Sequence, residues 1–235
     1  MTRTMLKLAV LSYWTMELLG ASAAKAANCA LALAFALDVS ASVNSDEYDI
    51  QKGGLAAALR DSEVVEAILI EPGAVWLLAY EWSAALQQAV IQDWAQMRGQ
   101  ADIQRFAARL DGHARRFGRS STAIGQGLSF GMKQFSALPA ICDRLVIDVS
   151  GDGVNNDGVA PEALRNAGRL AGVTINGLVI AGESPNPVPY YREKVISGSD
   201  AFMMVARNGF EDYPDLIKGK LLRELRPPLF IGLAR

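Results

Sequence analysis

Histidine and cysteine are scarce in this chain: His113, Cys29 and Cys142 are the only ones among 235 residues. That is too few for a His- or Cys-rich zinc site, and any Ser-His-Asp triad would have to run through one imidazole. A basic excess is also missing, with 23 Lys+Arg against 25 Asp+Glu. No positive stripe is available to neutralise a phosphate backbone, so DNA and RNA are not expected as partners. At 51% hydrophobic and 20% charged residues the composition is that of a folded domain, neither disordered nor collagen-like.

Long apolar runs are absent beyond the first residues. Arg3 and Lys7 precede a mostly apolar stretch from Leu8 to Leu19, interrupted by Glu17, and small residues follow in Gly20-Ala21-Ser22-Ala23-Ala24-Lys25-Ala26. Basic, then apolar, then small-x-small is the order of a secretory signal peptide, so residues 1–26 are expected to be removed and 27–235 to form one domain. Cleavage there takes Arg3, Lys7, Lys25 and Glu17 and moves the formal charge from −2 to −4. No later run reaches the roughly 18 apolar residues of a membrane span, because Asp38 stops Ala30 to Leu37. The processed chain is expected to be exported, periplasmic or secreted, without a membrane span.

The rest alternates strand and helix patterns. Ala30 to Leu37 is a continuous apolar run of strand length, the pattern of a central parallel strand buried on both faces. Asn44 or Ser45 caps a helix to about Arg60, with Asp46 and Glu47 at its positive end. Val75 to Tyr80 and the short Ala89 to Ile91 read as strands joined by a hairpin over Ser83 to Gln88, so one edge strand is antiparallel. Asp102 to Phe117 has helical spacing, with His113, Arg115 and Arg116 on a solvated face. Leu145 to Val149 is a buried strand, and Pro161 opens a helix to Ala171. Val173 to Ile180 and Ala201 to Val205 are strands, Tyr190 to Val195 is a short helix, and Tyr213 to Leu225 is the last helix. Repeated strand-helix units imply a doubly wound α/β fold, a mostly parallel sheet with helices on both faces.

Ligands of such sheets bind where loops leave the carboxyl ends of the strands. There the chain offers Asp38-Val39-Ser40-Ala41-Ser42, then Arg119-Ser120-Ser121-Thr122-Ala123-Ile124-Gly125, then Ser150-Gly151-Asp152-Gly153-Val154-Asn155-Asn156-Asp157-Gly158. These loops supply oxygen ligands only, which suits a hard cation such as Mg²⁺. Taken singly, each has a plainer reading: Asp38, Ser40 and Thr122 as helix caps, and Asp152-Gly153 as an ordinary turn. Asp148, Asn155, Asn156 and Asp157 read as solvated loop polarity or as groups that orient water. An EF-hand loop is excluded because Val154 stands at its third position. Gly125-Gln126-Gly127 through Gly131 lacks the spacing and the preceding strand of a dinucleotide fingerprint. Trp76, Trp82 and Trp94 read as core or rim.

Together, Asp38-x-Ser40-x-Ser42, Thr122 and Asp152-Gly153 resemble the metal-ion-dependent adhesion site of von Willebrand factor A domains. The similarity covers about Cys29 to Leu225. Val146-Ile147-Asp148-Val149-Ser150-Gly151-Asp152-Gly153 and Ile175-Asn176-Gly177-Leu178 also resemble an exported bacterial family of that superfamily with no assigned function. The resemblance implies that Ser40 and Ser42 bind the ion directly, Thr122 directly or through water, and Asp38 and Asp152 mainly through water. Mg²⁺ is the ion implied, with Mn²⁺ or Ca²⁺ as substitutes. An open position on the ion would take a carboxylate from a protein partner.

In that fold the strands starting near Cys29 and Cys142 are neighbours. Cys29 stands nine residues before Asp38 and Cys142 ten before Asp152, so a disulfide below the site is geometrically open, beside the alternative of two buried thiols. Three functions stand side by side: a non-enzymatic metal-dependent binding module, a Mg²⁺-dependent phosphohydrolase with Asp38 as nucleophile, and a structural envelope scaffold. The second lacks the acid that Asp-x-Asp phosphatases carry two residues on, where this chain has Ser40.

Overall fold

The structure is a computed structural model and describes residues 29–118 and 120–226. The segment expected to be a signal peptide lies outside them. Six strands form one sheet: β1 (Cys29–Asp38), β2 (Ala74–Trp82), β3 (Gln88–Gln96), β4 (Cys142–Gly151), β5 (Thr174–Ile180) and β6 (Met203–Ala206). Their order is β3-β2-β1-β4-β5-β6, all parallel except β3, which runs antiparallel to β2 at the edge. The expected doubly wound fold with one antiparallel edge strand is what the chain adopts.

Every residue of β1 is buried, which explains its unbroken apolar sequence. Strand alternation divides that sequence unequally. Leu31, Leu33, Phe35 and Leu37 face one core with helices α1 (Ser45–Arg60), α2 (Ser62–Ile70), α3 (Gln100–Asp111) and α7 (Tyr213–Leu225). Ala34 and Ala36 face the other, with α4 (Ile124–Phe135), α5 (Pro161–Asn166) and the turn from α6 (Pro187–Tyr190) through Val195. The small residues admit larger ones from neighbouring strands, and α4 settles onto Tyr80, Trp82 and Ile147 through glycines. A Cβ on Gly127 would lie 2.9 Å from Trp82 Cγ, and one on Gly131 would lie 2.8 Å from Ile147 Cδ1. Close helix-sheet packing thus accounts for Gly127 and Gly131, while Gly125 lies against the backbone of Val159, whose carbonyl oxygen a Cβ would meet.

Several boundaries move for identifiable reasons. The capping box at Asn44 starts α1 as expected, its Oδ1 accepting the Glu47 N–H at 3.0 Å while Glu47 Oε2 accepts the Asn44 N–H at 2.8 Å. Helix α2 has no expected counterpart; Asp61 caps it, and Val64 and Ile68, one turn apart, bury themselves in the core. Helix α3 ends at Asp111 with Gly112 as its C-cap, six residues short of Phe117. His113 and Arg115 therefore do not stand on a solvated helix face: His113 Nε2 lies 3.2 Å from the buried Glu81 carboxylate. Helix α5 stops at Asn166 instead of Ala171, because Gly168 (φ 69°) and Gly172 (φ 79°) turn the chain. Strand β3 is longer than expected, running to Gln96 along β2.

Cys29 and Cys142 are register partners on the adjacent strands β1 and β4, with Cα atoms 4.3 Å apart, and they form a disulfide.

Candidate functional site

Asp38 ends β1, where its carboxylate turns the chain. Its Oδ1 accepts the Ser40 N–H at 2.7 Å, and the side chain is fully buried. Ser40 Oγ lies 3.3 Å from Ser42 Oγ, and Ser42 Oγ donates to Asp152 Oδ1 at 2.7 Å across 110 residues. Thr122 comes from the loop before α4. A Cβ on Gly153 would stand 3.3 Å from Thr122 Oγ1 and 3.8 Å from Ser42 Oγ, so both hydroxyls lie on the same side of this glycine, close to one another. All five residues singled out from the sequence, Asp38, Ser40, Ser42, Thr122 and Asp152, meet at the carboxyl end of the sheet.

The residues between them tie the three loops together. Asn156 Oδ1 accepts the Thr122 N–H at 2.8 Å, and its own N–H donates to Thr122 O at 2.9 Å. Asn155 Oδ1 accepts the Gly125 N–H at 3.1 Å; Asp157 Oδ2 accepts Ser121 Oγ at 2.7 Å and the Ala85 N–H at 2.9 Å. Ala41 N–H reaches Ser120 O at 2.8 Å. Asn155, Asn156 and Asp157 are therefore cross-links between loops as well as partly solvated polarity, Asn156 being itself exposed. Asp148 also departs from that reading, since it is buried in β4 with Lys220 Nζ 2.6 Å away.

Two supports escaped the sequence reading. Gln51 on α1 is fully buried; its Nε2 donates to Asp38 O at 3.0 Å and its Oε1 accepts Ser150 Oγ at 2.6 Å. The signal was a polar side chain in the stripe Tyr48, Gln51, Leu55, Leu59 at helical spacing. Tyr191 is the second. Among the described residues its buried Oη and the buried Asp38 Oδ2 have no hydrogen-bond partner, and both lie close to Gly151, where a Cβ would come within 2.6 and 2.7 Å of them.

Burial sets the electrostatics. Loss of hydration pushes Asp38 up to about 8, with the nearby Asp152 charge adding to it. Burial likewise raises Asp152 to about 6, helped by the charges of Glu183 and Glu47. Such crowded carboxylates are relieved either by protons or by a cation. Among the described residues no three His, Cys, Asp or Glu converge, so an ion here would depend on the hydroxyls as well.

A pH dependence follows. Native Asp38 keeps its proton up to about pH 8, whereas an unfolded aspartate releases it near 3.8, so between these values the native state binds more protons. Stability is then lost as pH rises, with Asp152 acting in the same sense up to about 6. In chelator, Tm is expected to fall by about 5–10 °C from pH 5 to pH 8, and Asp38→Asn to remove most of that slope. A flat or rising Tm over that range would count against the buried-carboxylate account.

This sheet order, with hydroxyl and carboxylate loops at its carboxyl end, defines a fold of the von Willebrand factor A type. Within it, the chain belongs to the family described as protein of unknown function (DUF1194), which matches residues 28–229. Solved structures agree on the fold. Proximal thread matrix protein 1 from the mussel byssus is 17% identical with a TM-score of 0.63, the match covering 85% of this chain and 49% of that one. Another structure of the same protein has a zinc-occupied adhesion-site motif. A von Willebrand factor type A protein from Catenulispora acidiphila is 14% identical with a TM-score of 0.57 over 84% of this chain and 43% of that one. The PilB minor pilin of Streptococcus sanguinis is 12% identical with a TM-score of 0.61 over 85% and 63%. The matched region is thus less than two thirds of each of these proteins. No curated protein shows a significant sequence match.

Proposed function

We propose that the chain is an exported, non-enzymatic binding module that recruits an acidic group of a protein partner through a divalent cation. The observation that carries this reading is the junction of Asp38, Ser40, Ser42, Thr122 and Asp152: two buried carboxylates with raised proton affinity beside three hydroxyls. These residues would hold Mg²⁺, or Mn²⁺ or Ca²⁺ in its place, since an all-oxygen set suits hard cations. When bound, the ion supplies an electrophilic position for a carboxylate. The chain's own part is to keep Ser42 against Asp152 with Ser40 beside it, to hold the Asp38 carboxylate in place through the Ser40 N–H, and to lock Thr122 through Asn156.

Residues 1–26 as a signal peptide and 27–235 as one domain belong to the same reading, and the disulfide supports an oxidising destination, periplasmic or extracellular. Among the described residues no helix is long and apolar enough to cross a membrane. Against a phosphohydrolase stands the complete burial of Asp38, which as a nucleophile would have to reach an incoming phosphoryl group.

The test is to pan a random peptide display library on the immobilised, Mn²⁺-loaded chain and to elute with chelator. Eluted peptides are expected to share an Asp or Glu whose amide replacement abolishes retention. Peptides that stay bound in chelator would favour a scaffold whose ion only orders loops. Phosphate-ester turnover lost in Asp38→Asn would favour the enzyme.

A further inference from the structure

The segment after α3, His113 to Gly118, runs beside the loop that carries Ser40 and Ser42. Arg115 commits all three guanidinium nitrogens to backbone carbonyls. Its Nη2 donates to Val39 O at 2.6 Å and Ser40 O at 3.0 Å, its Nη1 to Val43 O at 2.7 Å, and its Nε to Phe117 O at 2.6 Å. Three of these four acceptors lie in the loop from Asp38 to Asn44, more than 70 residues away in sequence. The guanidinium also sits 5.9 Å over the Tyr48 ring, on the first turns of α1.

The segment is itself anchored. The buried Glu81 on β2 accepts the Arg116 N–H at 2.8 Å and lies 3.2 Å from His113 Nε2, and Tyr48 Oη donates to it at 3.2 Å. Lys52 Nζ on α1 donates to His113 O at 3.0 Å. Arg115 therefore projects from a fixed base, and its planar fork meets carbonyls spread along five residues of the loop. A lysine keeps the charge but cannot present that fork.

We propose that Arg115 is the positioning residue of the cation site: by clamping the carbonyls of Val39, Ser40 and Val43 it holds the Ser40 and Ser42 hydroxyls in their ion-binding arrangement. The proposal rests on the metal-binding reading above. Arg115 makes no hydrogen bond to Asp38, Thr122 or Asp152 and acts through the backbone of the loop. Without the clamp three carbonyls lose charged donors, and an incoming ion has to order the loop itself. Groups that orient metal ligands from outside the coordination sphere typically alter affinity by about 10- to 100-fold.

The experiment is a Mn²⁺ titration of the wild-type chain and Arg115→Lys, followed by the paramagnetic resonance of free Mn²⁺, together with amide hydrogen exchange of both. Arg115→Lys is expected to bind about 10- to 100-fold more weakly. Its Ser40 and Val43 amides should exchange faster while those of β1 and β4 stay protected, a local loosening that a general loss of stability would not produce. Saturating Mn²⁺ should restore protection at Ser40 and Val43. Binding by Arg115→Lys within about twofold of wild type, or loss of protection across the whole sheet, would overturn the positioning role. Wild type that fails to bind Mn²⁺ would overturn the metal reading, and this inference with it.

Discussion

Titration of Mg²⁺ or Mn²⁺ into the folded chain is expected to show one saturable site and, at about a hundredfold excess over Kd, to raise Tm by about 5–10 °C. That excess corresponds to about 2.7 kcal/mol of linkage, which for a domain of this size shifts the midpoint by about 2–4 °C per kcal/mol. The informative comparison is a Ser42→Ala, Asp152→Ala double variant. In wild type, Ser42 Oγ donates to Asp152 Oδ1 at 2.7 Å, and Asp152 adds to the cost of ionising the buried Asp38. Removing both residues gives up one hydrogen bond but also relieves the crowding of carboxylates, so the metal-free variant should lose little stability near neutral pH. Its thermal response to metal should disappear. Calorimetry and thermal shift on the two proteins decide the matter. An equal rise of Tm in both would place the ion elsewhere, and no heat in wild type would remove the cation from the account.

The second large effect concerns Cys29 and Cys142. Their disulfide joins the starts of the two central strands across 113 residues, so in the unfolded chain it closes a very long loop. On the chain-entropy account a loop of that length is worth about 4–5 kcal/mol. Cys29→Ala, Cys142→Ala is therefore expected to lower Tm by about 10–15 °C, while the native sheet remains because β1 is held on both sides by β2 and β4. Chemical denaturation of the variant and of the oxidised chain measures the difference. Two alkylatable thiols in the non-reduced protein, or an unchanged midpoint, would refute the stabilising bridge.

The wiring behind these effects explains why the site is rigid without being continuous in sequence. Thr122 is fixed by Asn156, Ser121 and Ala85 by Asp157, and the Asp38 carbonyl by Gln51, which is held in turn by Ser150. The Gln51 bonds satisfy polar groups that the packing has taken from water, so deleting Gln51 leaves a buried acceptor and a buried hydroxyl unmet, whereas the Asn156 and Asp157 bonds are only partly buried.

Elements governed by local pattern were legible from residues alone. The apolar run around Ala30 to Leu37 became β1, Asn44, one of the two expected caps, began α1, and Tyr213 to Leu225 became α7 without change. The oxygen-bearing residues Asp38, Ser40, Ser42, Thr122 and Asp152 were also visible, because each follows a strand or precedes a helix in a short polar loop. Helix α2 was not, although Asp61 caps it and Val64 and Ile68 stand one turn apart: the run is short and mixed with exposed apolar residues such as Leu69 and Ile70, and its place is fixed where Val64 and Ile68 meet the core. Residues 112–118 were misread for the opposite reason, since their composition tolerates a helix that Gly112 ends and Glu81 replaces with hydrogen bonds of its own.

What the sequence determined by itself was therefore the alternation of strands and helices, the burial of the central strand and the chemical type of the site loops. Only the tertiary structure decided that Asn155, Asn156 and Asp157 are cross-links, that Gln51 and Arg115 hold the Asp38–Ser42 loop, and that Asp38 and Asp152 resist ionisation. The physical reason is common to all of these. Periodicity and capping act between residues a turn or a pleat apart, whereas desolvation, charge repulsion and side-chain bridges depend on distances between groups that lie from 13 to 110 residues apart in sequence.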